Sequence, residues 1–463
     1  MDDSFGAILA LIIIIVIFYE LIFKNSKLLL KIKSLKNKKN NNVIIEKENN
    51  NESTHEDKRV VITSIKDLPP KEVKEEEKII EEVKEYIKPQ INMLSKSKKE
   101  AIDQSIIDEK INIINDTLKS FKIKAKVCNT DIGAQVSVFE VELLGNTKIE
   151  KIVDIQDELK VSLGTKNLIL LIPVPGKSTI GIEIPNNKMN MVSLREVISN
   201  IPNNYKESKI LVPLGLNPFG NYRFADLTKY QQLLVTGGFS SGKTSFLNSV
   251  IVSNLIMSTP NDLKLVLIDS EKSEFSIYDG LKNLMCPVIT DYKKAIDYLI
   301  HVVEIIKERQ ETLYKFKTPN IEEYNKRYSK FNNHMEHILV IINSYYDIYL
   351  FNDCVQELIN KIIYDGRECG VNIILSANNN HYKTQEVLSE LDFNSIVLFK
   401  SRENFISNKV KDNNVLLGSG DAFYKLFGDS EEERIQTPYV EYEDIKRIVS
   451  FLKEKNGINK TDS

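Results

Sequence analysis

The chain has 463 residues, which is enough for two or three domains that each bury their own core. Its formal net charge is -3 with 27% of residues charged, which excludes a global basic field for nucleic acid, so any such contact requires a local surface. Its cysteines have no short spacing of the kind found in metal sites or redox pairs, which indicates packing roles in a reducing compartment.

The N-terminal residues predict a membrane anchor. Residues 6–23 form an almost uninterrupted apolar stretch, broken by Glu20, which approaches the roughly 20 residues that a bilayer-spanning helix requires. Asp2 and Asp3 precede the stretch and several lysines follow it closely, which favours a retained anchor over a cleaved signal peptide. We therefore expect residues 1–24 to form a single span in the cell membrane, with the bulk of the chain in the cytoplasm.

The next segment, residues 25–100, predicts a charged low-complexity linker. It is rich in lysine, asparagine and glutamate and contains few residues that could form a core. Between residues 72 and 87, apolar side chains form a partial helical stripe, which fits either a short coiled segment or a transient charged helix.

Residues 101–205 have the pattern of a small α+β domain. A helical pattern runs from Ile106 to Leu118, strand-like alternation follows over 136–143, and a second helix is predicted over 154–163. Two further strands are expected at 168–172 and 180–184, around a Pro-Gly-Lys turn. This stretch carries no catalytic constellation.

Residues 206–455 change to short apolar runs separated by helical segments, as expected for a parallel sheet covered on both faces. The runs are 233–235, 265–268, 338–342, 371–375 and 396–399. Because the first run leads into a glycine-rich loop, the pattern predicts an α/β fold, a RecA-like P-loop NTPase core with a parallel sheet. Residues 456–463 are read as a tail.

The glycine-rich loop has a complete phosphate-binding pattern. It reads Gly237-Gly238-Phe239-Ser240-Ser241-Gly242-Lys243-Thr244, followed by Ser245. Gly237 and Gly242 let the backbone curl so that its N–H groups point at phosphate oxygens, Lys243 reaches the terminal phosphates, and the Thr244 hydroxyl ligates magnesium. The loop therefore predicts binding of ATP and Mg²⁺.

Hydrolysis requires more than this loop. A carboxylate at a strand end has to hold the magnesium shell, usually with a second carboxylate that orients the attacking water. Two strands compete for this role: one ends in Asp269, with Glu271 just beyond it, and the other ends in Asn343 and Ser344.

Two further residues are candidates for sensing the terminal phosphate. Asn378 ends the following strand, where P-loop motors keep a polar group, although a solvent-side capping asparagine has the same pattern. Arg367 precedes that strand, where it could face a neighbouring subunit or cap the preceding helix.

Several motifs outside the phosphate loop are specific in combination. They are the stretches 173–186 (PVPGKSTIGIEIPN), 192–197 (VSLREV), 225–227 (ADL), 274–280 (EFSIYDG) after Asp269, 288–291 (VITD) and 416–421 (LLGSGD). With them, the chain resembles the FtsK/SpoIIIE family of membrane-anchored DNA translocases over roughly residues 106–453.

The resemblance implies roles for the strand ends. Asp269 falls on the family's second strand, and the acidic pair of its magnesium-holding strand maps onto Asn343 and Ser344. The family's strand-end Gln maps onto Asn378, and the Arg of its Ala-Arg-Ala-x-Gly stretch maps onto Arg367. Asparagine carries no charge and serine is a poor base, so hydrolysis should be slow, since general-base help is typically worth about 10² to 10⁴ in rate.

Asp347 is the nearest downstream carboxylate that could substitute for the missing base. The resemblance also implies a homo-oligomeric ring, usually a hexamer, that encircles double-stranded DNA and contacts its phosphates. The family's C-terminal winged-helix module has no counterpart before the chain ends at Ser463, so directional reading of DNA is not expected.

The leading interpretation is a membrane-anchored, ATP-binding DNA translocase that acts in partition or transfer of a chromosome or plasmid. Two alternatives remain open. One is a hydrolysis-deficient ATP-binding scaffold or regulatory subunit, for which Asn343 and Ser344 argue. The other is a coupling ATPase of a secretion or conjugation system.

Overall fold

A computed structural model describes residues 86–97, 103–270, 274–329, 333–378, 382–401 and 415–457. All of them lie in one compact unit, Lys84–Ser463. The predicted anchor over residues 1–24 and the predicted linker up to residue 85 lie outside the described residues. Among the residues that are described, no helix is both long and apolar enough to cross a membrane.

The small domain, residues 103–186, is a four-stranded antiparallel sheet with helices packed on it. Its strands, in the spatial order β1-β2-β4-β3, are β1 (Ala125–Ile132), β2 (Val136–Leu143), β3 (Ile169–Leu171) and β4 (Ile180–Pro185). Its helices are α1 (Gln104–Ser120), α2 (Glu150–Asp154) and α3 (Gln156–Ser162). The Asp103 carboxylate caps α1 by accepting a hydrogen bond from the Ser105 N–H, and Ile114 and Leu118 of α1 are buried with Phe139 of β2.

The large domain, residues 192–457, is built on a nine-stranded sheet in the order β6-β5-β13-β12-β11-β7-β10-β9-β8. Its strands are β5 (Leu211–Leu216), β6 (Tyr222–Asp226), β7 (Gln232–Gly237), β8 (Leu263–Asp269), β9 (His337–Asn343), β10 (Val371–Asn378), β11 (Ile396–Phe399), β12 (Asp421–Lys425) and β13 (Glu433–Gln436).

This sheet is mixed, which corrects the prediction of a parallel sheet. The five predicted strands are present as parallel neighbours in the order β11-β7-β10-β9-β8. Beyond β11, the strands β12, β13, β5 and β6 continue the sheet in antiparallel pairing. These strands form two hairpins that mix polar and apolar residues, whereas continuous apolar runs identify only strands buried on both faces.

Helices cover both faces of the large sheet. They are α4 (Leu194–Ser199), α5 (Leu227–Tyr230), α6 (Lys243–Met257), α7 (Tyr292–Phe316), α8 (Ile321–Tyr328), α9 (Tyr345–Phe351), α10 (Cys354–Asp365), α11 (Tyr382–Ser389) and α12 (Tyr442–Asn456). On one face, α6 and α12 share a core with Val235 and Ile374. On the other face, α7, α9 and α10 share a core with Leu234 and Ile342. The helix that follows the phosphate loop is therefore sandwiched in the interior, and its Phe246 and Leu247 are fully buried.

Residues 86–97, which fall within the predicted linker, pack on the large domain. Leu94 is 1% exposed and belongs to the same core as α6 and α12. The backbone of Ile87 exchanges two hydrogen bonds with the side-chain amide of Asn456, and Ser95 donates two to the Asp444 carboxylate. One buried apolar side chain and paired polar groups thus fasten this segment to α12.

Candidate nucleotide-binding site

The phosphate loop connects β7 to α6 and lies close to two other backbone segments. A Cβ added to Gly237 would come within 2.6 Å of the Phe399 Cβ, and one added to Gly242 would come within 2.7 Å of the Gly420 nitrogen. Gly242 also has a φ of 119°, a conformation that side chains rarely adopt. Both glycines are required because the loop curls against β11 and against the turn before β12.

Lys243 begins α6 and turns back over the loop. Its Nζ donates hydrogen bonds to the carbonyl oxygens of Gly237 at 3.0 Å and Gly238 at 2.6 Å, and the residue is 8% exposed. The Ser241 hydroxyl donates to the same Gly238 carbonyl at 2.8 Å. The lysine ammonium is thereby held at the mouth of the loop, where a terminal phosphate would replace two carbonyl oxygens as its partner.

The loop meets the requirements of a phosphate site. Gly242 is the N-cap of the 15-residue α6, so the N–H groups of the first turn and the positive end of the helix dipole face the loop. Thr244 is half-buried beside it. The buried hydroxyl of Ser245, in the first turn of α6, has no hydrogen-bond partner among the described residues. A polyanion with a hydrated cation would supply such a partner. Phe239, at the tip of the loop, is 72% exposed.

Asn378 lies next to the loop. It ends β10 as the direct parallel partner of Gly237. Because side chains two residues apart lie on the same face of a strand, Asn378 is on the face of Ile374, which packs in the same core as α6. The two candidate residues predicted from separate parts of the chain, Asn378 and Lys243, are therefore brought to one edge of the sheet.

Asp269 ends β8, which lies one strand further from the phosphate loop than β9, the strand where the missing carboxylates would stand. Two strands, β10 and β9, separate β8 from β7. At about 4.8 Å per strand, Asp269 lies roughly 14 Å from the strand of the phosphate loop. Its Oδ2 accepts hydrogen bonds from the N–H groups of Glu274 and Phe275 at 2.8 Å and 3.1 Å, so the carboxylate has a structural role.

Asn343 ends β9 and Ser344 follows it as the N-cap of α9, and both are nearly fully buried. The Asn343 amide donates to Asp269 Oδ1 at 3.4 Å, and the Ser344 N–H donates to the Ser270 Oγ at 2.8 Å. Asp347 reaches the same place, because its Oδ2 lies 3.1 Å from the Ser270 Oγ. The carboxylate that could substitute for the missing base is thus engaged with a serine at the strand end.

Arg367 lies near the N-terminal end of β10, opposite to the end that adjoins the phosphate loop. It is exposed in the turn between α10 and β10, and its carbonyl accepts a hydrogen bond from the Gly370 N–H. Because β10 runs from Val371 to Asn378, its length puts on the order of 25 Å between Arg367 and the phosphate loop. The structure does not bring this arginine to the nucleotide site of its own chain.

One segment at the phosphate loop was not among the predicted site residues. The turn 417–421, within the LLGSGD motif, lies directly on the phosphate loop, and its Gly420 N–H donates to the Ser241 carbonyl at 2.9 Å. Three successive residues with positive φ, Gly418, Ser419 and Gly420, form it. In the sequence, the two glycines that flank Ser419 could have indicated a tight turn with positive φ. Arg434, which holds this turn, had no sequence signal.

Comparison with known proteins identifies the family. The model of the FtsK alpha domain matches residues 88–186, and the model described as the FtsK/SpoIIIE family matches residues 193–412. The chain belongs to the FtsK/SpoIIIE family. The resemblance predicted from the motifs is thereby confirmed, and the small domain corresponds to the alpha domain of that family.

Relatives within the FtsK/SpoIIIE family are moderately similar. A DNA translocase FtsK of Campylobacter jejuni is 31% identical over 391 residues, which are 83% of this chain and 41% of that protein. The DNA translocase SpoIIIE of Bacillus subtilis is 30% identical over 384 residues, 80% of this chain and 49% of that protein. The chain thus spans about half the length of the curated relatives it matches. A conjugation coupling protein solved with ATPγS has a TM-score of 0.48 at 15% identity, covering 74% of this chain and 99% of that one.

Proposed function

We propose that this chain binds ATP with Mg²⁺ at residues 237–245 and acts as the ATP-binding subunit of a DNA translocase on double-stranded DNA. The observation that carries the proposal is the pairing of the phosphate loop with Asn378 on the adjacent strand. It occurs in a chain that belongs to the FtsK/SpoIIIE family and whose relatives are named DNA translocases.

The residues of the loop divide the work of holding the nucleotide. The backbone N–H groups of residues 239–244, at the α6 N-terminus, bind phosphate oxygens, and Lys243 exchanges its two carbonyl partners for the terminal phosphates. The Thr244 hydroxyl is the side chain that would hold Mg²⁺, which supplies charge neutralisation at the phosphates. Asn378 offers an amide to the terminal phosphate from the adjacent strand.

Turnover is proposed to be slow. Asn343 is bonded to Asp269, Ser344 is not ionised near neutral pH, and Asp347 is engaged with Ser270. Without an ionised base next to the attacking water, about 10² to 10⁴ in rate is lost.

The proposal includes a ring of identical subunits and a membrane anchor. Arg367 can serve a nucleotide only in a neighbouring subunit, which favours a homo-oligomeric ring, such as a hexamer, with DNA in its channel. The apolar residues 6–23 support a single-pass anchor in the cell membrane with the bulk of the chain in the cytoplasm.

A second candidate function is an ATP-binding scaffold or regulatory subunit that does not hydrolyse ATP. The Asn343–Asp269 hydrogen bond favours it, because position 343, where the resemblance places a carboxylate in a translocase, carries an amide that is matched to Asp269. In this case the chain would serve beside an active paralogue.

Two measurements on the full-length chain separate these functions. ATPγS binding, followed by calorimetry, should be present in the wild type and weakened roughly 10- to 100-fold in Lys243→Ala. Lys229→Ala is the matched control, because Lys229 is exposed in α5 ahead of β7 and should leave binding unchanged.

Phosphate release is then measured with and without duplex DNA. Stimulation by DNA that is lost in Lys243→Ala supports the translocase. The scaffold is supported if the wild type binds ATPγS but shows no phosphate release that depends on Lys243. In that case the double variant Asn343→Asp with Ser344→Glu should restore phosphate release. Absence of ATPγS binding by the wild type would refute both.

A further inference from the structure

The turn 417–421 and the phosphate loop are packed backbone to backbone. The Gly420 N–H donates to the Ser241 carbonyl at 2.9 Å, and a Cβ on Gly242 would lie 2.8 Å from the Gly420 Cα. The Gly420 carbonyl accepts two hydrogen bonds, from the Thr437 N–H and the Thr437 hydroxyl, both at 2.9 Å. Because the contact has no flexible side chain between the two backbones, a shift of the turn has to displace the loop.

Asp421 and Arg434 hold this turn in place. The Arg434 guanidinium donates from Nε to Asp421 Oδ1 at 2.9 Å and from Nη2 to Asp421 Oδ2 at 2.5 Å. Oδ2 also accepts the Leu417 N–H at 2.7 Å, so one carboxylate closes the turn and binds the arginine. A two-pronged pair of this kind fixes orientation as well as distance.

Arg434 is also paired with the small domain. Its Nη1 donates to Oε1 of Glu183, which lies on β4. Glu183 is 2% exposed and Arg434 is 8% exposed, so the pair is withdrawn from water. Burial raises the pKa of Glu183 against the opposing charge of Arg434. Burial alone would lower the pKa of Arg434, but the carboxylates of Glu183 and Asp421 outweigh it and raise that pKa. Such a buried group of charges is intolerant of losing one member.

A second small-domain contact reaches the same turn. The Gln135 Nε2 donates to the Ser419 carbonyl at 3.3 Å, and the Gln436 Nε2 donates to the same oxygen at 3.0 Å. The small domain therefore touches the turn both through Gln135 and through Glu183 with Arg434. The turn lies between that domain and the phosphate loop.

We propose that Arg434 is a positioning residue that couples the docking of the small domain to the state of the phosphate loop. Through Asp421 it holds the turn against Ser241 and Gly242, and through Glu183 it ties the turn to β4. The inference rests on the proposed function in one respect, that the loop binds ATP. Because coupling between sites is reciprocal, a nucleotide that orders the loop also stabilises the contact of Arg434 with Glu183.

The test uses the full-length chain, ATPγS as the probe, and Glu183→Gln as the variant. Glutamine keeps the shape and an acceptor oxygen but removes the charge that binds Arg434. Glu140→Gln is the matched control, because Glu140 is a 3% exposed carboxylate of the same sheet that pairs with Lys177 instead. Calorimetry gives the Kd for ATPγS, and amide hydrogen exchange reports on residues 180–185 and 237–245.

In the wild type and in Glu140→Gln, ATPγS should slow exchange both in the loop and in residues 180–185 of β4. In Glu183→Gln, the Kd should rise about tenfold. The slowing should remain at 237–245 and be lost at 180–185. If Glu183 served only stability, ATPγS would still slow exchange at residues 180–185 in the folded Glu183→Gln variant.

Arg434→Lys keeps the proposal testable if Glu183→Gln does not fold, because it preserves the positive charge while it removes the two-pronged pairing with Asp421. The variant should unfold at a lower temperature than the wild type, and ATPγS should slow exchange at 180–185 less than in the wild type. The coupling would be overturned if the wild type binds ATPγS and the folded variant has the same Kd and the same slowing of exchange at 180–185. That result would leave the proposed function standing. Failure of the wild type to bind ATPγS would instead refute the proposed function itself.

Discussion

The side-chain amide of Asn343 donates a hydrogen bond to the Asp269 carboxylate on the adjacent parallel strand, with 3.4 Å between Nδ2 and Oδ1. The two residues are direct register partners at the ends of β9 and β8. Asp269 is fully buried, and its second oxygen is already used by two backbone N–H groups. An amide at position 343 is therefore a hydrogen-bond donor for this carboxylate, whereas a carboxylate there would have no donor to offer.

Replacing Asn343 with Asp should destabilise the nucleotide-free chain by roughly 1–3 kcal/mol, because two buried carboxylates would then lie at hydrogen-bond distance. Thermal unfolding without nucleotide measures this loss, and Mg²⁺ with ATP should recover part of it by binding the folded state. The double variant Asp269→Asn with Asn343→Asp is the control, since it restores one amide and one carboxylate. A single variant as stable as the wild type would contradict the prediction.

Replacing Gly242 with Ala should weaken both the fold and ATPγS binding. The new Cβ would meet the Gly420 backbone at 2.7 Å in addition to the strain of a φ of 119°. We expect a loss of stability of about 1–3 kcal/mol, measured by chemical denaturation. Gly428→Ala is the control for φ strain, because Gly428 has a φ of 95° with no atom within 4 Å of an added Cβ. Equal losses in the two variants would show that the contact with Gly420 does not matter.

His337 should make the fold sensitive to acid. It is 4% exposed at the start of β9, and burial, with the nearby positive charges of Arg309 and Lys209, lowers its pKa from 6.5 to about 4. The Glu322 carboxylate, 3.9 Å away, is too distant to offset this. The unfolded chain therefore takes up the proton first, so the stability from neutral His337 is complete above pH 6.5 and is lost as the pH falls toward 4.

The loss can reach about 3 kcal/mol, and His337→Gln should remove it and flatten the dependence of unfolding free energy on pH between about 4 and 6.5. His301→Gln is the control, because the His301 side chain is 53% exposed. Denaturant unfolding at a series of pH values tests both. A wild-type curve with the same slope as His337→Gln would rule out this histidine as the acid-sensitive group.

Leu94→Ala should destabilise the large domain by about 2–4 kcal/mol, because it opens a cavity in the core that α6 and α12 share. Ile87→Ala, in the same segment but at a side chain that is 48% exposed, should cost far less. Both are measured by chemical denaturation of the full-length chain. Similar small effects would mean that residues 86–97 are not part of the stable unit.

The phosphate loop was predictable because its residues are consecutive in the sequence. A phosphate loop uses the backbone of consecutive residues, so Gly237 to Thr244 carry their geometry wherever a strand precedes and a helix follows. The five parallel strands were equally visible, since burial on both faces leaves continuous apolar runs. The hairpin strands β5, β6, β12 and β13 were missed because their patterning is short and mixed.

The amino-acid sequence by itself determined the family, the phosphate loop with Lys243 and Thr244, and the absence of carboxylates at residues 343 and 344. Only the tertiary structure decided which groups these residues meet. Asn343 finds Asp269 at a separation of 74 residues, and Arg434 finds Glu183 at a separation of 251. Such contacts depend on strand order and register, which arise from packing of the whole sheet and leave no local periodicity to read.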